Sequence, residues 1–252
     1  MKNSIKDQAN NQIIELTHTE VTISASIDKI NSTNFKTNLS CKIIHIPSHI
    51  TSIEPSTFDK YQYVHSIIVD SNNQYFLSID GILFSKDKRR LILHPPKHPN
   101  QQYMIPSSVT TIDSTAFYDC YRLKEIFVES GNSAFVSIDG ILFSKDMQTL
   151  IRHPSHHSNS IYSIPPSVTS IGDYAFYECC YLTSITIPSS VTSIGKSAFY
   201  DCHRLTSFTI PSSVASIGNY VFRECIQLKK ISVGSGNSAF VSIDGILFSK
   251  DM

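Results

Sequence analysis

The chain contains 252 residues, of which 41% are hydrophobic and 17% are charged, and this composition excludes a disordered polyelectrolyte. Its 21 basic side chains balance 21 acidic ones, and the zero net charge argues against general nucleic-acid binding, which needs a basic excess. No apolar run approaches the roughly 20 residues that a membrane-spanning helix requires, and residues 1–22 lack an apolar core of signal-peptide length. The sequence therefore predicts a soluble chain without a recognisable export signal, beginning with a cap or flexible segment at 1–22.

A segment of fixed length recurs along the chain, most clearly in the copies that start at Ile164, Ile187 and Ile210. Earlier copies start at Ile46 and Ile105, and the two steps 46 to 105 and 105 to 164 are equal but longer, because each contains one copy plus an insert. A degenerate first copy starts near residue 23, and its apolar positions are Ile23, Ile27, Ile30 and Phe35. Repeats of this period predict a solenoid, here a single domain of six units over 23–252 with the last unit cut short.

Each unit predicts a strand followed by a return segment. In Ser184–Ile187 polar and apolar residues alternate, as is typical of a short strand with one buried face. Pro188 cannot donate to a continuing ladder and therefore ends the strand. We expect the return segment to bury Val191 and Ile194, and Gly195 to supply a flexible corner.

The residues after this glycine predict the helical part of the unit. Lys196–Cys202 is too short for a long helix and lacks strand alternation, so we expect a single helical or 3-10 turn that buries Phe199. Equivalent phenylalanines of stacked units are expected to form a column in the core: Phe58, Phe117, Phe176, Phe199 and Phe222. The predicted fold class is an α/β repeat solenoid with parallel strands, short helical turns and inserted β-hairpins.

The cysteines follow the same repeat. Cys120, Cys179, Cys202 and Cys225 each occupy the same place after the phenylalanine of their unit. Successive units in such a stack lie about 4.8 Å apart, but equivalent side chains project in parallel, which is poor disulfide geometry. We therefore expect free, buried thiols that pack as small apolar side chains.

The inserts are predicted at about 70–104, 129–163 and 234–252, and each contains the sequence SIDGILFSKD. An apolar run, a polar turn and a second apolar pair indicate a β-hairpin. The third copy stops at Met252, before the returning strand, so an unpaired apolar edge is expected there. Three explanations stay open: a truncated gene product, a frayed tail, or an edge completed by a second copy of the chain, which would give self-association.

Two histidine-rich stretches follow the hairpins. His94 and His98 belong to the first, and His153, His156 and His157 belong to the second. Their spacing suits zinc in principle, but they lack carboxylate or thiol partners nearby in the sequence. They are therefore interpreted as exposed polar loops, and no metal site is expected.

The sequence contains none of four common catalytic and nucleotide-binding motifs. GxSxG, HExxH, the P-loop and the dinucleotide fingerprint are all missing, so we expect neither enzymatic activity nor a cofactor. The first insert contains a basic cluster that is not reproduced in the second and is interpreted as a solvated hairpin tip: Lys86, Lys88, Arg89, Arg90 and Lys97.

The repeat unit IPSSVTSIGxxAFxxCxxLTSIT resembles the BspA-like, or Treponema pallidum type, leucine-rich repeat. DGILFSKD resembles the hairpin module often interleaved with such repeats, and the likeness extends from about Ile46 to Met252 and weakly back to Ile23. The resemblance implies an arc with a parallel sheet on its concave face and helical or 3-10 turns on its convex side. It also implies no enzymatic activity, attachment to proteins or cell surfaces, and a surface or secreted location, although the sequence shows neither a signal peptide nor a membrane anchor.

Outward strand positions form two columns, which the resemblance assigns to the concave face. The first contains Ser66, Glu125, Ser184, Ser207 and Lys230, and the second contains Ile68, Phe127, Thr186, Thr209 and Ser232. Ile68 and Phe127 are large apolar side chains on a mostly hydroxylated face, which favours a protein-binding site formed with Glu125, Thr186, Thr209 and Lys230. The alternative is that the hairpin of each insert folds back and covers its own neighbour.

Two functions follow from these patterns. The first is a non-enzymatic binding protein that engages host or extracellular-matrix proteins through the concave face, as an adhesin would. The second is an intracellular interaction scaffold or a truncated, nonfunctional member of an expanded repeat family. Adhesion is an expectation from the family alone, because a fold does not fix a function.

Overall fold

The protein is described by a computed structural model that covers residues 14–16 (backbone only), 19–31, 40–54, 56–59 and 61–250. Phe35, Met252 and most of the predicted N-terminal segment lie outside the described residues. Two compact units are present: unit 1 comprises Met1–Asn100 and Ser108–Arg122, and unit 2 comprises Gln101–Ser107 and Leu123–Met252. The single solenoid over 23–252 stays a prediction.

The described residues form 24 strands and no helix. The strands up to the first insert are β1 (Ile14–Leu16), β2 (Glu20–Ile23), β3 (Lys29–Ile30), β4 (Ile43–Ile46), β5 (Ser52–Ile53), β6 (Ser66–Val69), β7 (Phe76–Ile79), β8 (Ile82–Ser85) and β9 (Arg90–Leu93). Those up to the end of the second insert are β10 (Gln102–Ile105), β11 (Thr111–Ile112), β12 (Glu125–Val128), β13 (Phe135–Ile138), β14 (Ile141–Ser144), β15 (Thr149–Arg152) and β16 (Ile161–Ser163). The remaining strands are β17 (Ser170–Ile171), β18 (Ser184–Thr186), β19 (Ser193–Ile194), β20 (Ser207–Ile210), β21 (Ser216–Ile217), β22 (Lys230–Val233), β23 (Phe240–Ile243) and β24 (Ile246–Ser249).

Unit 1 contains one mainly parallel sheet and the first insert. β2, β4 and β6 are parallel, β1 joins β2 in antiparallel fashion, and β3 pairs with β5 on the return segments. The insert forms the antiparallel run β7, β8 and β9, after which β9 pairs in parallel with β11. Partners such as Ile43 and Ser66 lie one sequence repeat apart, so the sequence repeat is also the structural rung.

Unit 2 has the same organisation. β10 pairs with β12, β16 with β18, and β20 with β22, all in parallel. The second insert and the return segments form a sheet in the order β13, β14, β15, β17, β19, β21. The predicted hairpin β14–β15 is present, and a second hairpin, β13–β14, turns at Asp139-Gly140. In the third insert β24 pairs with β23, a partner that the sequence interpretation left out.

The predicted helical or 3-10 turns are wrong, because their amides bond in an alternating pattern. The amides of Ala175 and Tyr177 donate to carbonyls three positions back in the chain. The amides of Tyr174, Phe176 and Glu178 instead donate to carbonyls of the following sequence repeat, at 2.9, 2.7 and 2.8 Å. Tyr174 and Glu178 also have φ values of 57° and 58°, which lie in the left-handed region. Beyond its first turn a helix bonds its amides within its own segment, and its residues have negative φ values. The solenoid is therefore built from strands and turns throughout its described part.

The phenylalanine column is present within unit 2. The ring of Phe199 is fully buried and lies 4.9 Å from Phe176 and 6.1 Å from Phe222, measured between ring centroids, with interplanar angles of 11° and 15°. Phe208, from the strand side, contacts both Phe199 and Phe222 edge to face. Because aromatic rings bury large apolar areas, this column is a main contribution to the core of unit 2.

Gly195 serves a close approach of two backbones and not flexibility. Its φ is not in the left-handed region, and a Cβ at this position would lie 2.5 Å from the backbone nitrogen of Asp173. The equivalent Gly218 would bring a Cβ to 2.4 Å from the nitrogen of Lys196. These corners require glycine because consecutive sequence repeats contact each other there through backbone atoms.

Candidate functional site

The candidate site is the face formed by the outward side chains of the parallel strands, called the strand face below. In unit 1 it contains Ile43, His45, Ser66 and Ile68 from β4 and β6. In unit 2 its first column is Gln102, Glu125, Ile161, Ser184, Ser207 and Lys230, and its second column is Met104, Phe127, Ser163, Thr186, Thr209 and Ser232. Of the six predicted site residues, Ile68 therefore lies in unit 1 and the other five lie in unit 2.

The strand face of unit 2 carries three large apolar side chains, Met104, Phe127 and Ile161, of which the sequence interpretation identified only Phe127. The direct sheet partner of Phe127 is Met104, which is 53% exposed, while Phe127 is half-buried. Beside them Gln102 donates from Nε2 to Oε2 of Glu125. Met104 was missed because the end of each insert was assigned to a hairpin, although QYMIP has the same strand-proline signature as SITIP.

The hairpin of each insert contacts the strand that precedes it. In unit 2 the amide of Ile126 donates to the carbonyl of Gly140 at 2.8 Å, and Ser137 donates to the carbonyl of Ile126. A Cβ on Gly140 would lie 2.8 Å from Cγ of Glu125, so the turn lies directly against β12. The turn thus packs on the Glu125 end of the strand.

In unit 1 the hairpin makes the same contact with the preceding strand but leaves the apolar residue of that strand more exposed. Ile67 donates to the carbonyl of Gly81 at 2.8 Å, and a Cβ on Gly81 would lie 2.6 Å from Oγ of Ser66. Ile68 nevertheless stays 44% exposed. The hairpin therefore covers the Ser66 end of β6 and leaves its apolar residue accessible.

Buried histidines hold these hairpin turns in place. Nε2 of His157 lies 2.8 Å from the carbonyl oxygen of Asp139, and Nε2 of His98 lies 2.9 Å from that of Asp80. A carbonyl only accepts, so Nε2 carries the proton in both rings. Nδ1 of His157 in turn accepts from the amide of Asn159 at 3.3 Å. Each histidine thus links the core to the turn beside the strand face.

The interpretation of the histidine stretches as exposed polar loops is wrong. His94, His98, His153 and His157 are all buried. His153 stacks on Phe176 at 5.1 Å and 27°, and its amide donates to Ala175 just as the amide of Phe176 donates to Ala198. His153 therefore takes the place of a phenylalanine in the column. Because of burial, and secondly because of neighbouring positive charge, the pKa values of His94 and His153 are lowered to about 3.

The cysteine ladder is inert in the geometry observed. All six cysteines are free, with Cys180 half-buried and the other five buried. Burial raises the pKa of Cys179 to about 12 and that of Cys41 to about 11, so their thiols stay protonated at neutral pH. The prediction of free, buried thiols is confirmed for the four ladder positions, Cys120, Cys179, Cys202 and Cys225, and Cys41 is also free and buried.

No metal centre is found in the part of the chain that the structure describes. No group of three or more His, Cys, Asp or Glu side chains there has a metal-binding arrangement. Sγ of Cys120 lies 3.4 Å from Nδ1 of His94, but this contact is a pair without a third ligand. The described residues also include no helix with the length and apolar character needed to cross a membrane.

Short parallel strands stacked at the register of the sequence repeat, with a buried aromatic column, define a solenoid of the leucine-rich-repeat class. The chain belongs to the BspA type leucine rich repeat family, whose model matches six copies over residues 2–87, 98–160 and 155–250. Members of this family are repeat proteins that generally take part in protein interactions.

Two solved structures with similar folds come from bacteria. A leucine-rich repeat protein from Eubacterium ventriosum is 25% identical, with a TM-score of 0.63, and the match covers 87% of this chain and 64% of that one. The pneumococcal vaccine antigen PcpA is 23% identical, with a TM-score of 0.54, covering 86% of this chain and 62% of that one. This chain thus spans less than two thirds of either protein. None of the curated proteins matches it.

Proposed function

We propose that the protein binds a protein partner through its strand face and acts in adhesion to a host or extracellular-matrix protein. The observation that carries this proposal is the pair Met104 and Phe127, which exposes apolar surface from the middle of two hydrogen-bonded strands. Ile68 offers the same chemistry in unit 1. Apolar side chains on a rigid sheet lose little entropy on binding and are suited to anchor an interface.

The hydroxylated remainder of the strand face fits the rim of such an interface. Thr186 and Thr209 are exposed on β18 and β20, and Lys230 is exposed on β22. Hydroxyl groups form adaptable hydrogen bonds around an apolar centre, while an exposed lysine mainly affects the association rate. Glu125 is tied to Gln102 and covered by the hairpin turn, so its proposed role is to keep the surface around Phe127 ordered.

The proposal is tested by comparing three folded variants against a panel of purified extracellular-matrix proteins. Met104→Ser combined with Phe127→Ser is expected to weaken binding at least about tenfold, which corresponds to about 1.4 kcal/mol. Ile68→Ser tests unit 1 separately. Tyr75→Ser is the control, because Tyr75 is 52% exposed, close to the 53% of Met104, but does not belong to the strand face. Unchanged affinity of the double variant, with its unfolding midpoint preserved, would remove the strand face from consideration.

The alternative is an intracellular interaction scaffold that uses the same face. The two differ in location, so labelling of intact source cells with a membrane-impermeant reagent separates them. Labelling supports the adhesin, whereas protection alongside cytosolic controls supports the scaffold. Self-association through the hairpin at 234–252 also stays a proposal, and light scattering that finds only monomer at high concentration would oppose it.

A further inference from the structure

Each unit contains a series of acid-free segments immediately before its parallel strands. In unit 2 these segments are residues 123–124, 155–160, 180–183, 203–206 and 226–229, which form what we call the lateral rim. The chain has 21 acidic residues, yet none falls in these segments. Their charged residues are Lys124, Arg204 and Lys229, while Glu178, Asp201 and Glu224 lie two residues before three of the segments.

Hydrogen bonds and ring contacts join the segments of the lateral rim into one surface. The amide of His156 donates to the carbonyl of Leu123 at 3.2 Å, and the amide of Thr183 donates to that of Ser160 at 2.7 Å. The guanidinium of Arg204 lies 5.6 Å from the ring centroid of Tyr181, which connects the next two segments. Because neighbouring strands lie about 4.8 Å apart, five rungs present a surface roughly 19 Å long.

The cations of the lateral rim are available to a partner. Lys124, Arg204 and Lys229 are exposed, and none of them forms a salt bridge within the described residues. The carboxylate of Asp201 nearby is half-buried and lies 3.4 Å from His203. Burial and then the charge of Lys124 lower the pKa of His156.

Tyr181 adds an aromatic surface to these charges. Its ring is 41% exposed, and it also contacts His156 edge to face at 5.2 Å. A tyrosine held between two cationic or polar groups offers a flat apolar patch at low entropic cost. The rim can therefore contact both the carboxylates and the intervening carbon atoms of a ligand.

Unit 1 presents the same chemistry independently. The segments before its parallel strands β4 and β6, residues 40–42 and 62–65, also contain no acidic residue. Nζ of Lys97 lies 3.8 Å from the ring centroid of Tyr121 and 5.7 Å from that of Tyr63. Burial and then Lys42 lower the pKa of His65. Two units with different sequences thus share an acid-free edge of cations and tyrosines.

We propose that the lateral rim of unit 2 binds an acidic peptide segment of a partner protein. An extended peptide advances about 3.3 Å per residue, so about six residues match the length of the rim, and carboxylates at its two ends can reach Lys124 at one end and Arg204 and Lys229 at the other. A sulfated polysaccharide is a poorer fit, because its binding depends on many simultaneous ion contacts and this rim supplies three permanent cations. The site is separate from the strand face and does not depend on the function proposed for it.

The test measures, by fluorescence anisotropy, the binding of a labelled peptide of alternating Glu and Ser. It compares the native chain with a variant that combines Lys124→Gln, Arg204→Gln and Lys229→Gln. We expect the variant to bind at least about tenfold more weakly than the native chain, and the native binding to weaken between about 50 mM and 200 mM salt. The matched control replaces three other exposed cations of unit 2 with Gln: Lys145, Lys196 and Arg223. It should bind within about twofold of the native protein.

Three results would overturn the proposal. One is equal weakening by the control variant, which would mean that overall charge and not the lateral rim attracts the peptide. Another is undiminished binding of a peptide with Gln in place of Glu. The third is binding of a heparin oligosaccharide without binding of the acidic peptide, which would assign the rim to a polysaccharide. The peptide alone is the probe, so failure here leaves the strand-face experiment unaffected.

Discussion

At the scale of single residues, the histidines show how one side chain can replace another in a repeat. His153 occupies the phenylalanine position, stacks on Phe176, and donates from Nδ1 to the carbonyl of Pro154 at 3.1 Å. Its Nε2 is buried and has no hydrogen-bond partner among the described residues. A charged ring would add an unpaired N–H donor at Nε2 in this apolar setting, so the core requires the neutral form. The neighbouring His157 and the buried Arg152 further oppose protonation.

This requirement predicts a loss of stability in acid. The folded pKa of His153, about 3, lies below the unfolded value of 6.5, so between these limits the unfolded chain binds more protons. Stability is complete above pH 6.5 and is lost as the pH falls toward 3. At pH 5 each such histidine costs about 2 kcal/mol. Urea unfolding of His153→Phe at pH 7.5 and pH 5 should therefore show a loss about 2 kcal/mol smaller than that of the native protein.

The control for this experiment is His203→Phe, because the side chain of His203 is partly exposed and contacts Asp201. It should keep the full acid dependence. An unchanged acid dependence in His153→Phe would mean that other groups destabilise the core in acid. Phe fits the column sterically, so a failure to fold is not expected.

At the scale of elements, the tight turn of each insert decides how the hairpin meets the strand face. Gly140 has a φ of 74° and lies against Glu125 with no space for a Cβ. Gly131, at the start of the same insert, has a φ of 85° but has nothing within 4 Å of an added Cβ. The two glycines therefore share a backbone requirement and differ in packing.

This difference predicts unequal effects of two identical substitutions. Gly131→Ala should cost about 1 kcal/mol, because only the left-handed conformation is strained. Gly140→Ala should cost at least about 1 kcal/mol more, since the turn must also move away from β12. Chemical denaturation of both variants measures the difference. Equal costs would show that the turn does not need its close contact with Glu125.

At the scale of the whole molecule, the placement of cysteines predicts a simple reactivity pattern. Native protein treated with a thiol reagent at neutral pH should label Cys180 first, because it is the one half-buried thiol among the six. All six thiols should react after unfolding. Rapid native labelling of Cys179 or Cys202, whose pKa values are raised by burial, would contradict the buried ladder. Fewer than six thiols after unfolding would indicate a disulfide.

Some of this architecture could be predicted from the sequence because it repeats in sequence. The alternation in Ser184–Ile187 and the spacing of Phe176 and Phe199 correctly predicted strands and an aromatic column. The turns at Tyr174–Cys179 were misinterpreted because half of their amides bond to the following sequence repeat. These hydrogen bonds join residues far apart in the chain, so the local sequence pattern does not show them. In the candidate site, Phe127 was found by register, but Met104 was not, because the insert hides the strand that carries it.

The hydrogen bonds between consecutive sequence repeats have a further consequence for the evolution of such a chain. The amide of Tyr174 donates to the carbonyl of Lys196, and the equivalent amide of Ser197 donates to the carbonyl of Asn219. Each sequence repeat therefore bonds to the following repeat in the same way. A copy gained or lost by unequal exchange within 164–232 would meet neighbours that offer the equivalent backbone partners on both sides. Unit 2 can therefore lengthen or shorten in steps of one whole repeat, and its exposed faces would grow or shrink with it while every junction is preserved.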